Sequence, residues 1–227
     1  MKRIFFCALI LTATNSAIAQ HQFGFSAGAG ISQLKSKSLK IDNDRGVNVT
    51  SRPQFSTGAA FVYRYDFGDQ FIETGLNYNY MNGVNWQEFD KEKHPTHGIG
   101  LALRDAHYIN IPVTLNFRLA DFTLGVGASA GFAVFEQYGF SASSELFADY
   151  FYYDEKTIER FDFGLNGQIG YDITNNFTIQ CKGYFGLQDI GSDVEETQMS
   201  SVFELEKVNR PQRNRQLTIG VKYMFGG

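Results

Sequence analysis

The sequence predicts an all-β protein, an eight-stranded antiparallel up-and-down transmembrane β-barrel. Three observations carry this expectation. Apolar and polar residues alternate with period two in eight segments, each near the ~9–11 residues that a tilted strand needs to cross a bilayer. The connections between them alternate strictly between short and long. After a leader-like start, no run approaches the ~18 apolar residues of a membrane helix, so a spanning chain must close as a barrel.

Taken in order, the first segment covers about 22–34, with Phe23, Phe25, Ala27, Ala29 and Ile31 on one face and Gln22, Gly24, Ser26, Gly28 and Gly30 on the other. The second, about 54–66, sets Phe55, Thr57, Ala59, Phe61, Tyr63 and Tyr65 against Gln54, Ser56, Gly58, Ala60 and Arg64. The third, about 70–82, sets Ile72, Leu76, Tyr78 and Tyr80 against Glu73, Gly75, Asn77 and Asn79. The fourth is the most regular: across 107–119, Ile109, Ile111, Val113, Leu115, Phe117 and Leu119 alternate with Asn110, Pro112, Thr114, Asn116 and Arg118. The fifth (about 121–135), sixth (161–173), seventh (about 176–189) and eighth (about 213–225) repeat the pattern, with Leu124, Phe163, Ile179 and Val221 as typical apolar positions. Aromatic residues favour such pleated surfaces, which suits a chain with 22 Phe and 12 Tyr.

Short connections follow segments two, four and six, at Phe67-Gly68-Asp69, Ala120-Asp121 and Thr174-Asn175-Asn176. The long ones span about 35–53, 83–106, 136–160 and 190–212. In an outer-membrane barrel the short turns face the periplasm and the long loops face outward, and an even strand number leaves both termini on the periplasmic side. A β-sandwich has no reason to produce this alternation.

The N-terminus reads as a signal peptide over 1–19. Lys2 and Arg3 form the charged start, Ile4 to Thr14 the apolar stretch, and Ala17-Ile18-Ala19 a cleavage motif that ends near Ala19-Gln20. The barrel domain is then 20–227, with Cys181 as its only cysteine and no intramolecular disulfide. The formal charge of -4 for the whole chain argues against a nucleic-acid partner, which usually meets a basic protein.

One face of nearly every segment is uncharged and apolar, and is assigned to outer-membrane lipid. The other carries small polar residues and charge, the reverse of a soluble barrel. Arg64, Glu73, Arg118, Asp162, Lys182 and Lys222 are therefore expected to form a lumenal charge network filling a narrow barrel, with Asp66 and Asp172 near the turns. Aromatic residues beside the turns, Phe67, Phe71, Phe117, Phe122, Tyr171, Phe177, Tyr223 and Phe225, are expected to form an interfacial girdle.

The chain resembles the PorT-like outer-membrane β-barrel families of Bacteroidota. The residues that carry the likeness are Phe23-Gly24-Phe25-Ser26-Ala27-Gly28-Ala29-Gly30, Tyr108-Ile109-Asn110-Ile111-Pro112-Val113, and the ending Leu217-Thr218-Ile219-Gly220-Val221-Lys222-Tyr223-Met224-Phe225. The resemblance implies the barrel architecture and brings no catalytic or binding residue with it.

The chemistry-bearing residues are sparse. His94, His97 and His107 are candidate metal ligands without a cysteine or a fixed scaffold beside them. Ser143, Ser144 and His107 are triad residue types, but no nucleophile elbow occurs. No cofactor, metal or catalytic residue is assigned. The long connections say more: the first carries a net charge of +3, the third -4 and the fourth -3, and the third holds the aromatic run Tyr150, Phe151, Tyr152 and Tyr153. Such residues on rigid strands suit recognition of an extracellular glycan or protein ligand. The expected function is a non-enzymatic outer-membrane barrel with a filled lumen and structural, adhesive or partner-binding loops. The alternatives are a small porin or transport or secretion component, and a lipid-modifying barrel enzyme.

Overall fold

A computed structural model describes residues 20–36, 47–89, 97–144, 148–153, 160–190, 193–197, 205–209 and 212–225. Among them the strands are β1 (Gln20–Ser36), β2 (Val47–Asp66), β3 (Gln70–Phe89), β4 (His97–Leu119), β5 (Phe122–Ser144), β6 (Ala148–Tyr153), β7 (Phe161–Asp172), β8 (Phe177–Gly186), β9 (Asp193–Thr197), β10 (Leu205–Asn209) and β11 (Gln212–Phe225). Every pairing is antiparallel. The order β1-β2-β3-β4-β5-β7-β8-β11 closes on itself where β11 meets β1, so the barrel has eight staves. The fold class expected from the alternation is the one observed. Among the described residues no helix is long and apolar enough to cross a membrane; the strands do the crossing.

Two of the short turns are tight because their backbones visit the left-handed region. Gly68 has φ 90° between β2 and β3, and Ala120 has φ 55° in the two-residue turn between β4 and β5. Glycine adopts this conformation without penalty, whereas alanine does so at a cost of roughly 1–2 kcal/mol.

Burial follows the period-two expectation. Ile109, Ile111, Val113, Leu115, Phe117 and Leu119 all stand on the exposed outer face of β4, while Asn110, Thr114 and Asn116 are buried inside. Aromatic clusters bound this apolar band at both ends. Near the periplasmic turns, the His21 ring lies 5.1 Å from that of Tyr65, and Phe122 lies 5.0 Å from Tyr171. At the other end His107 stands 5.1 Å from Tyr80 and 5.3 Å from Phe135. Amphipathic rings settle where the hydrocarbon meets the headgroups. One member assigned to the periplasmic girdle is placed differently: Phe71 is 0% exposed and points into the lumen. It shares the parity of Glu73, two residues on, and parity decides the face.

The connections read as long loops are in large part sheet. β4 and β5 each run 23 residues. At ~3.3 Å per residue and a tilt near 40°, that is ~55–60 Å of height against an apolar band ~25 Å tall. β2 and β3 stay paired out to Val47 and Phe89, and β6 returns along β5 with Tyr153 opposite Tyr138 and Phe151 opposite Phe140. The third connection therefore contains the β5–β6 pairing and the fourth the β9–β10 pairing. Register shifts at Pro53/Ser56 and at His107/Tyr108 lie close to the point where the sheet leaves the apolar band. A bulge moves the alternation by one residue, so the pattern of the membrane part does not continue through it.

Candidate functional site

The lumen is the best-defined chemical environment in the molecule, and it is built in three layers. At the periplasmic end Phe71 forms an apolar floor. The Arg64 guanidinium lies 4.2 Å from its ring centroid and that of Arg118 lies 4.9 Å away, cation–π geometry that is strongest where water is excluded. Val62, Met224 and Ala60 form a separate small apolar cluster on the lumenal wall of β2 and β11. Arg118 is a third exposed at the mouth, where its Nη2 stands 2.7 Å from Asp66 Oδ1 and its Nη1 donates to the Gly68 carbonyl.

Above the floor, Glu73 gathers partners from around the barrel. Register places Arg64 of β2 directly opposite it, and Arg64 donates to Oε1 from Nε at 3.2 Å and Nη2 at 3.0 Å. Lys222 of β11 reaches across to the same oxygen at 2.5 Å. Gln168 of β7 donates to Oε2 at 2.7 Å and also to Asn116 of β4. One carboxylate thereby ties together β2, β3, β7 and β11, all through side chains deep inside the barrel. Removing either side of such a group leaves an uncompensated charge in low dielectric, which is the costly outcome.

The outer end is apolar again. Met81, Ala106, Tyr108, Ala133 and Ile190 form a buried cluster against which Tyr184 packs. Ile190 is supplied by the segment after β8, whose Leu187 amide donates to the Phe163 carbonyl. Asp162 sits beside this layer and accepts from Asn214 Nδ2 at 2.7 Å.

The six charged residues singled out from the sequence thus occupy the lumen in separate places. Arg64, Glu73 and Lys222 meet directly, Arg118 pairs with Asp66, Lys182 projects between them and the outer plug, and Asp162 stands apart near Tyr184. Sequence reasoning put Asn116 and Gln168 on the inward polar face without giving them a part in the charge network, assigned Phe71 to the girdle, and missed Ile190, which lies in no alternating segment. Tyr150, Phe151, Tyr152 and Tyr153 lie on β6, in the part of the sheet beyond the apolar band.

The histidines are not gathered. His107 is on the outer surface, with Nδ1 2.5 Å from the Tyr78 hydroxyl. His97 opens β4, ten residues and so ~33 Å of strand away, and His94 lies outside the described residues. Ser143 and Ser144 end β5, also far along the strand from the position opposite His107. Among the described residues no three His, Cys, Asp or Glu side chains converge as a metal site.

A comparison with curated proteins returns no match. Among solved structures the chain is similar to Neisserial surface protein A, at 11% identity and a TM-score of 0.41, covering 90% of this chain and 97% of that one. It is similar to Ail, the attachment invasion locus protein of Yersinia pestis, at 14% identity and 0.41, covering 91% and 99%. It is also similar to the outer membrane protease OmpT from Escherichia coli, at 10% identity and 0.42, covering 91% and 96%. A family model described as outer membrane protein beta-barrel domain matches residues 15–192, most of the chain. With its closed eight-stave sheet, lipid-facing outer surface and polar lumen, this chain belongs to that family and is an outer-membrane protein.

Proposed function

We propose that the protein is a non-enzymatic outer-membrane barrel that holds up an extracellular sheet for adhesive or partner-binding work, with a lumen that does not conduct at rest. The observation that carries this reading is the continuation of β2, β3, β4, β5 and β6 as paired sheet beyond the apolar band. A barrel that only anchored itself would need strands about half as long. The edge strand β6, whose sequence runs Tyr150, Phe151, Tyr152 and Tyr153, offers backbone groups for strand pairing, and its aromatic composition suits a glycan or protein ligand. The likeness to PorT-like barrels of Bacteroidota, carried by the glycine-rich β1, Tyr108 to Val113 in β4 and the end of β11, is consistent with it. The signal peptide over 1–19 belongs to the same proposal.

The test compares the parent with a variant in which residues 137–153 are replaced by a short turn. Crosslinking from native outer membranes should capture a specific surface ligand with the parent and lose it with the variant, while both barrels remain heat-modifiable on denaturing gels. Equal capture by both would overturn the reading.

A further inference from the structure

Lys182 is the lumenal base that the ion pairs leave over. Arg64 and Lys222 are held by Glu73, and Arg118 by Asp66. Among the described residues the Lys182 ammonium has no hydrogen-bond or ion-pair partner, and Glu73 and Lys222 are its nearest lumenal charges in effect. Glu73 is already shared among three other side chains: Oε1 takes Arg64 and Lys222, and Oε2 takes Gln168. Asp162 is on β7 six residues beyond Gln168, the register partner of Lys182, which is ~20 Å of strand, and it is engaged by Asn214.

Two cavities meet at this lysine, of about 80 and 40 Å³. Both are lined by Asn77, Asn79, Lys182 and Thr218. The larger is also lined by Gln216, whose Nε2 is buried without a partner. An unpaired ammonium and an unpaired amide donor therefore border the same space. Water needs about 10–15 Å³ of such volume per molecule, so the larger cavity has room for a hydrated ion. A cation drawn partly out of water without a counter-charge of its own is destabilised, and a buried donor without an acceptor adds to that cost.

We propose that the mid-lumen cavity binds a small monovalent anion of the halide class, held by Lys182 Nζ with amide donors from Asn77, Asn79 and Gln216. A halide accepts several hydrogen bonds from any direction, which suits donors arriving from β3, β8 and β11. It adds a negative charge to a layer in which Arg64, Lys222 and Lys182 face the single carboxylate of Glu73. The site is walled by the Glu73 layer below and by the Tyr184 and Ile190 plug above, and it does not depend on the extracellular sheet or its ligand.

The test uses the full barrel refolded in detergent. Crystals grown from protein refolded in sodium bromide should show an anomalous peak against Lys182 Nζ. In solution, replacing gluconate by chloride at constant ionic strength should raise the unfolding midpoint of the parent by about 2–4 °C at a few times the Kd. Lys182→Met keeps the stem and removes the charge; it should be at least as heat-stable as the parent in gluconate and lose the chloride response. An empty cavity in the bromide crystals, or an equal chloride response in Lys182→Met, overturns the proposal. If that variant does not fold, the bromide density decides alone.

Discussion

Val113 and Thr114 are neighbours in sequence and face opposite media. Val113 is 53% exposed on the outer wall of β4 and Thr114 is 5% exposed inside it. Val113→Arg should cost roughly 2–4 kcal/mol of folding stability in lipid, because it puts a cation among hydrocarbon tails. Thr114→Arg should cost less on charge grounds, since its neighbours Asn166 and Asn116 are polar. Urea unfolding in vesicles measures both; a Val113→Arg variant as stable as the parent would reverse the assignment of faces. Glu73 is the residue whose loss should be felt most widely. Glu73→Gln strands Arg64 and Lys222 together in the lumen, and about 3–5 kcal/mol of destabilisation is expected from the same measurement. Gln168 loses its charged acceptor in that variant as well.

At the scale of single elements, the turn between β4 and β5 carries the one described non-glycine residue with positive φ, Ala120. Ala120→Gly relieves that conformation and should stabilise the barrel by an amount of order 1 kcal/mol, read as a higher urea midpoint. A lower midpoint would mean that the lost alanine contact or added chain freedom outweighs the relief. The tight turns and the lower halves of the strands were legible in the sequence because lipid on one side and a polar lumen on the other impose opposite demands on alternate residues. Ile109 to Leu119 shows this without a break. The upper halves were not legible, for a physical reason. Beyond the apolar band both faces can meet water, so a stretch such as Ser51 to Pro53, none of it buried, loses the alternation while staying paired with β3. The bulge opposite His107 and Tyr108 adds one residue to β5, near Val134, and shifts the parity just there. Phe71 was legible by parity and obscured by composition, since an aromatic residue beside a turn suits a girdle equally well. Lys182, by contrast, could be placed inside from its strand, but only the three-dimensional arrangement of Glu73 shows that it goes unpaired.

For the whole molecule, the layers predict behaviour. Apolar floor, charged middle and apolar plug leave cavities of about 80 and 40 Å³ in the lumen. Planar-bilayer recordings of the refolded protein should show no stable unitary conductance, and porin-sized steps would put the transport reading first. Heat-modifiable migration on denaturing gels is expected, as closure leaves no strand edge within the apolar band for detergent to open. That closure rests on a single seam, where β11 lies against β1 from Phe23 opposite Phe225 up to Ser36 opposite Gln212. The backbones there approach so closely that a Cβ on Gly28 would stand 2.9 Å from the Ile219 carbonyl oxygen. Most other stave contacts join strands that are next to each other in the chain, so they form locally as hairpins. The seam joins the first strand to the last. Until β11 arrives, the nascent protein is a curled sheet with two bare edges, and the lumenal carboxylate of Glu73 still waits for Lys222. Zipping the seam delivers the missing hydrogen-bond ladder and the missing cation together.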